Sequence, residues 1–280
     1  MALTLMYITN HPVVAQIAQS YGVDRIWIDL ETLGKEARQK NLNTVKSHHT
    51  IDDIRSLSPL LDTSELLVRI NPWNEHSVEE IEAVVAAGAD RIMLPMWRTA
   101  EEVERFLAAV AGRTKVSLLL ETREAEDCLD SVLALSGIDE IHIGLNDLHL
   151  SYGLIFMFEL LSNGTVETIC NKIRARGIPY GFGGIARIGE GLLPAEKIIM
   201  EHYRLGSTRT ILSRSFCNVD ETTDLHQLDQ LFALNMRTLR ETETSVLKAS
   251  PLDYQNNRLD VITCVNRVVN LIQEKKKSEG

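Results

Sequence analysis

No apolar run in the 280-residue chain approaches the roughly 18 residues that a membrane span needs, which excludes a helical membrane protein. The opening MALTLMYITNHP has neither a basic stretch nor a small-residue cleavage site, so no secretory leader is expected. Cysteine is scarce and scattered: Cys128, Cys170, Cys217 and Cys264 form no CxxC pair. That excludes a zinc ribbon or a disulfide framework and suits a reducing cytoplasm, the expected location. Positive charge is also in deficit, with 29 Lys and Arg against 39 Asp and Glu and a net charge of −10. Apart from Lys275 to Lys277 there is no basic stripe, and neither a nucleic-acid nor a membrane partner is expected. The turn after the first apolar run (TNHP) has no GxGxxG, which disfavours a dinucleotide-binding sheet, and no Ser-His-Asp arrangement is visible.

What the chain does have is a repeated alternation of short apolar runs and amphipathic stretches. The runs are LTLMYI (3–8), RIWIDL (25–30), LLVRI (66–70), RIMLPM (91–96), KVSLLLE (115–121), EIHIGL (140–145), PYGFGGI (179–185) and TRTILSRSF (208–216). Their length and β-branched content predict strands. Between them lie helical patterns. In SVEEIEAVVAAGAD, Val78, Ile81, Val84 and Val85 share a face and Gly88 stops the helix; in TAEEVERFLAAVAG, Thr99 is the N-cap and Gly112 the stop. Eight strands alternating with helices imply parallel pairing, and their number favours a (β/α)8 TIM barrel over an open sheet. The barrel is expected over residues 1–220, with residues 221–280 as a C-terminal helical extension on the barrel or on a neighbouring subunit. The segment GLIFMFELLSNG (153–164) is unusually apolar for a loop, which points to a homo-oligomer or to packing within the chain.

In such barrels the active site lies at the C-terminal ends of the strands. Strand two ends in Asp29 and Glu31, strand three in Arg69 with Asn71 after it, and strand five in Glu121. Asn146 and Asp147 follow strand six, and strand eight carries Arg209 and Arg214. Carboxylates beside arginines form ion pairs, but four carboxylates on one rim repel one another unless a cation is present, and oxygen ligands suit Mg²⁺ or Mn²⁺.

At these residues the chain resembles the HpcH/HpaI aldolase and citrate lyase β-subunit family. WIDLE (27–31), LLVRINPW (66–73), AGADRIMLPM (87–96), LLLETREAEDCLD (118–130) and GIDEIHIGLNDLHLSYG (137–153) carry the likeness. The resemblance implies a metal-dependent barrel lyase. Glu121 of ETREA and Asp147 of the IG-x-x-DL turn correspond to the two protein ligands of a divalent metal. Arg69 is similar to the substrate-binding arginine. Asp29 resembles the carboxylate that holds metal-bound water, and Glu31 occupies the next acidic position. With two protein ligands, positions stay open for a 2-oxo acid, and the metal acts as a Lewis acid on an enolate formed as a carbon–carbon bond breaks. Arg69 adds a fixed positive charge beside the developing oxyanion. The backbone amides of Gly144, Leu145 and Asn146 are expected to hold the substrate carboxylate.

The likeness breaks at two places, one of them Leu119, which stands where the aldolase branch tends to have glutamine two residues before the metal glutamate. Aldolases of this kind carry a histidine after the acidic pair, and here IDLET puts Thr32 there; the citrate lyase branch also lacks that histidine. The base is therefore open. His149, two residues past Asp147, is the first candidate, with a structural role as the alternative. His48 and His49 read as a solvated cap before a helix, and His142 as a core residue of its strand. GFGGIAR (181–187), with Arg209 and Arg214, is either a distal anion site or tight packing. Trp27, Trp73 and Trp97 sit at strand ends, with Trp73 close enough to Arg69 to line a pocket. The expected function is a metal-dependent aldolase-type lyase acting on a 2-oxo or 2-hydroxy acid. A thioester lyase of the citrate lyase or malyl-CoA lyase type, or a non-catalytic barrel without its base, are the alternatives.

Overall fold

A computed structural model describes residues 1–34, 49–217 and 224–279. Its strands are β1 (Thr4–Ile8), β2 (Arg25–Asp29), β3 (Glu65–Arg69), β4 (Arg91–Leu94), β5 (Lys115–Leu120), β6 (Glu140–Ile143), β7 (Tyr180–Ile185) and β8 (Arg209–Leu212). They close in sequence order into a barrel. The helices up to β6 are α1 (Pro12–Ser20), α2 (Ile51–Leu57), α3 (Ser77–Ala87), α4 (Ala100–Val110), α5 (Arg123–Asp127) and α6 (Leu129–Val132). Beyond β6 come α7 (Leu145–Ser151), α8 (Glu159–Ser162), α9 (Thr165–Ala175), α10 (Ala195–Leu205), α11 (Leu225–Val246) and α12 (Pro251–Glu279). The chain is thus a (β/α)8 barrel with extra C-terminal helices. The boundary expected at 220/221 lies outside the described residues, as does His48. Among the described residues no helix is long and apolar enough to cross a membrane, and all four cysteines are free.

Two compact units make up the chain, Thr4–His142 and Met1–Leu3 with Ile143–Gly280. In the first, the parallel ladder sets Arg25 beside Glu65, Asp29 beside Arg69, and Arg91 beside Lys115. Side chains alternate along a strand. Arg25, Trp27 and Asp29 therefore share one face of β2, and Glu65, Leu67 and Arg69 share one face of β3. At the strand starts this face carries an ionic layer. The Arg25 guanidinium donates to Glu65 at 2.9 Å and to Glu140 at 2.7 Å, and Arg91 reaches Glu65 at 3.3 Å and Glu140 at 3.6 Å. Lys115 also donates to Glu65.

Three short sequence units build the edge of this layer. GVDRI (22–26), GADRI (88–92) and GIDEI (137–141) each run from a helix or turn into an even-numbered strand. In each, the aspartate accepts an amide of the preceding strand at 2.7 Å: Asp24 from Leu5, Asp90 from Leu66, Asp139 from Val116. Leu5, Leu66 and Val116 are the second residues of β1, β3 and β5, so each aspartate anchors the start of a strand through its backbone. The residue after each aspartate, Arg25, Arg91 or Glu140, is a member of the ionic layer. Glycine is required at Gly88, where φ is +102° and a Cβ would lie 2.5 Å from Ser58 Oγ. It ends α3 as expected, and Thr99 caps α4 by accepting from Glu102 N. α4 ends on two left-handed residues, its cap Ala111 with φ of +51° and the expected Gly112 with φ of +67°.

In the second unit the glycine-rich stretch is strand, as expected for PYGFGGI. A Cβ on Gly181 would lie 2.2 Å from the Arg209 carbonyl oxygen, and one on Gly183 2.8 Å from Leu145 Cδ1. Close packing accounts for these glycines. In the apolar segment 153–164, Phe158, Leu160 and Leu161 are buried and α8 packs against α9 and α12, while Leu154 to Met157 are half-buried. The start of the chain is pinned by α11, whose buried Glu243 accepts from Leu3 N at 2.7 Å and from the Tyr203 hydroxyl at 2.8 Å.

The ionic layer gives acid sensitivity a defined sign. Burial pushes the Glu65 carboxyl up, but Lys115, Arg91 and Arg25 outweigh it and hold the pKa at about 2, against 4.5 ordinarily. A depressed folded-state pKa gives stability that is present above the unfolded value and lost as pH falls through the folded one. The melting temperature of Glu65→Gln should lie below that of the parent at pH 7, and the gap should close between about pH 4.5 and pH 2. A gap independent of pH over that window would show that the Glu65 charge does not supply the stabilisation.

Candidate functional site

The same inward face that carries the ionic layer at the strand starts carries a second charged cluster at the strand ends. Asp29 closes β2 and lies beside Arg69, the last residue of β3. Their side chains meet as a fork. Arg69 Nε donates to Asp29 Oδ1 at 2.8 Å and Nη2 to Oδ2 at 2.8 Å. Arg69 Nη1 also pairs with Glu31 at 3.3 Å, and Glu31 N donates to Asp29 Oδ1 at 3.2 Å. Asp29 and Glu31 are each 2% exposed and Glu121 is 3% exposed. Burial alone would favour a neutral Arg69, but the charges of Asp29, Glu31 and Glu121 more than reverse this and raise its pKa. Beneath the guanidinium lies Trp27, with Arg69 Cζ 5.3 Å from the ring centroid. Trp27 is the middle residue of β2 rather than its end, so it forms the floor of the cluster.

Glu121 directly follows β5. Thr122 accepts from Ala125 N to cap α5, and its hydroxyl donates to the Trp97 carbonyl at 2.9 Å. The ETREA motif is therefore a strand end followed at once by a capped helix. The carboxylate is oriented by Met96, whose N donates to Glu121 Oε1 at 3.1 Å. Met96 has φ of +54°, a left-handed conformation that costs a non-glycine residue about 1–2 kcal/mol. That geometry turns its amide toward the glutamate. Sequence reasoning missed Met96, because nothing in LPMWR marks a left-handed residue.

Thr32 is engaged elsewhere. Its N and Oγ1 both donate to Asn71 Oδ1, at 2.9 and 3.3 Å, and Leu33 N joins them at 3.0 Å. Asn71 is fixed in turn by Glu80, which accepts its N at 3.2 Å and its Nδ2 at 2.8 Å. Burial raises the Glu80 pKa against the lowering effect of these bonds. His49 differs from the solvated cap expected for it: it is half-buried, and Asp29 N donates to its Nδ1 at 3.0 Å. Trp73 is half-buried and Trp97 fully buried.

In the other unit, Gly144 precedes α7, which carries Leu145, Asn146, Asp147 and His149. Asn146 is exposed, Asp147 half-buried and His149 buried. His149 Nδ1 lies 3.1 Å from the Leu145 carbonyl. A carbonyl only accepts, so Nδ1 is the protonated nitrogen and Nε2 holds the lone pair of the neutral ring. His142 is a fully buried strand residue, as expected. Arg209 was expected on the rim, but it opens β8 and so stands at the strand's opposite end; Arg214, in the turn after β8, is exposed on the expected side.

Among the described residues no three His, Cys, Asp or Glu side chains gather as a metal cluster. Taken singly, Glu121 is a buried carboxylate just past the end of β5 and Asp147 a half-buried carboxylate in the first turn of α7, and each is an oxygen donor of the kind that suits a hard divalent cation.

Fold and site together define a (β/α)8 barrel with a carboxylate–arginine cluster at the ends of its strands, where such barrels carry their active sites. The HpcH/HpaI aldolase/citrate lyase family model matches residues 3–156, more than half of the chain, and the chain belongs to this family. Among solved structures it is similar to an HpcH/HpaI aldolase from Desulfitobacterium hafniense, with 16% identity and a TM-score of 0.60 over 86% of this chain and 93% of that one. It is similar also to the citrate synthase SbnG (16% identity, TM-score 0.60, 82% and 94% covered). RipC from Yersinia pestis is a further likeness (17% identity, TM-score 0.54, 82% and 94% covered). At such identities the likeness is one of fold. No curated protein matches the chain significantly.

The fork between Asp29 and Arg69 has a measurable consequence. Arg69→Ala leaves two buried carboxylates without it and should cost about 3–5 kcal/mol in denaturant unfolding. Adding Asp29→Asn to that variant should recover part of the loss. A loss below about 1 kcal/mol would place the pair among weakly coupled surface bridges.

Proposed function

We propose that the protein is a divalent-metal-dependent carbon–carbon lyase of aldolase type, which cleaves or forms a 2-oxo or 2-hydroxy acid through a pyruvate-like enolate. The observation that carries this reading is the buried Arg69, forked onto Asp29 and paired with Glu31, within the electrostatic reach of Glu121. Family membership supports it.

On this reading Glu121 and Asp147 hold Mg²⁺ or Mn²⁺, with Asp147 assigned from the family motif. When bound, the metal supplies Lewis-acid polarisation of a substrate keto oxygen. Arg69 meets the developing oxyanion with a charge that cannot be lost, since its neighbours hold it protonated. Asp29 and Glu31 prevent the guanidinium from following the substrate. The amides of Gly144, Leu145 and Asn146 bind the substrate carboxylate. His149 is the acid–base candidate, because its Leu145 contact leaves the lone pair on Nε2.

Thr32 favours a second reading. The position where oxo-acid aldolases carry their histidine is tied to Asn71. The thioester lyases of the family lack that histidine too, so a malyl- or citramalyl-thioester substrate is the alternative.

Exchange of pyruvate methyl protons into D₂O, followed by proton NMR, tests the main reading. Exchange should require added Mg²⁺ or Mn²⁺, disappear in Glu121→Gln, and fall by about 10²–10³ in Arg69→Ala. Metal binding without exchange would leave a non-catalytic barrel. Cleavage of malyl- or citramalyl-thioesters without cleavage of oxo acids would move the assignment to the thioester branch.

A further inference from the structure

We infer that His49 is a positioning residue for the Asp29–Arg69 fork, which it holds through Nδ1 as a neutral imidazole protonated on Nε2. Three observations lead here. The β1–β2 register runs as far as Ile8 with Trp27, and Thr9 N donates to the Trp27 carbonyl just past it. The Asp29 amide lies beyond it, on a residue that is 2% exposed, and a buried amide without an acceptor is costly. His49 Nδ1 takes that amide at 3.0 Å.

An amide only donates, so Nδ1 accepts and carries no proton; the proton of the neutral ring is therefore on Nε2. This is the opposite tautomer to that of His149, whose Nδ1 faces a carbonyl. The ring is placed by the start of α2. Thr50, the next residue, forms a capping box with Asp53, and Asp53 also accepts from Asn10 Nδ2 at 3.3 Å in the turn after β1. The imidazole thus ties a rigid helix start to the backbone from which the Asp29 carboxylate projects. That carboxylate takes both Arg69 bonds and the Glu31 amide. His49 acts on Arg69 through Asp29, and its effect on turnover rests on the lyase reading above.

Two substitutions separate the ring's nitrogens. In His49→Asn the side-chain oxygen stands where Nδ1 stood and still accepts the Asp29 amide. In His49→Gln the amide group reaches the level of Nε2 and leaves the Nδ1 place without an acceptor. In the full-length protein, nitrogen-15 NMR of labelled histidine should show Nδ1 unprotonated and Nε2 protonated at neutral pH. Hydrogen exchange at the Asp29 amide should stay slow in His49→Asn and quicken at least tenfold in His49→Gln. Metal-dependent pyruvate proton exchange should fall in kcat by about 10–100-fold in His49→Gln, with KM nearly unchanged, and stay within roughly threefold of the parent in His49→Asn. If the parent shows no proton exchange but the Asp29 amide follows this pattern, the positioning role stands and the lyase reading falls. A proton on Nδ1, or equal Asp29 protection in the two variants, would overturn the inference.

Discussion

The fork between Asp29 and Arg69 depends on a register. Because β2 and β3 pair with Asp29 beside Arg69, every second residue below them is also fixed: Trp27 beside Leu67, and Arg25 beside Glu65. One alternation therefore sets an ionic layer at the strand starts, an aromatic and aliphatic layer in the middle, and a charged cluster at the strand ends. A slip of one residue would turn all of these outward together.

The two charged ends serve different purposes. At the strand starts, Glu65 and Glu140 each bridge cations from more than one strand, and the aspartates of the three Gly-x-Asp units accept amides near the starts of β1, β3 and β5. Such layers add little net stability over well-packed apolar residues but are expensive to break. At the strand ends the same chemistry leaves Arg69 strongly protonated beside three buried carboxylates. A charge held there in advance needs no reorganisation when a substrate develops negative charge, and this is where electrostatic catalysis gains most. The left-handed Met96, which turns an amide onto Glu121, is local strain of the kind that accumulates at such sites.

Much of this was legible in the amino-acid order. Buried parallel strands read as continuous apolar runs, so all eight strands could be found, and their last residues pointed to Asp29, Arg69 and Glu121. The limits have physical causes. TRTILSRSF has an arginine on either side of its apolar centre, and a run alone does not say which flank is strand end; Arg209 proved to open β8. The three Gly-x-Asp units are visible as letters, but only the amide each aspartate accepts reveals their purpose. His49 was hidden for a further reason. An HHT before a helix looks like a solvated cap, and the ring's partner, the Asp29 amide, lies twenty residues away on a neighbouring strand edge.

On the proposed lyase reading, the strand-end cluster receives a divalent cation and a small oxo-acid anion together. The most direct measurement is calorimetric titration of oxalate, an enolate mimic, into the protein with and without Mn²⁺. Oxalate should bind only when Mn²⁺ is present, and this binding should weaken sharply in Arg69→Ala. Oxalate binding of equal strength without metal, or no binding with Mn²⁺ or Mg²⁺ in the folded parent protein, would contradict it.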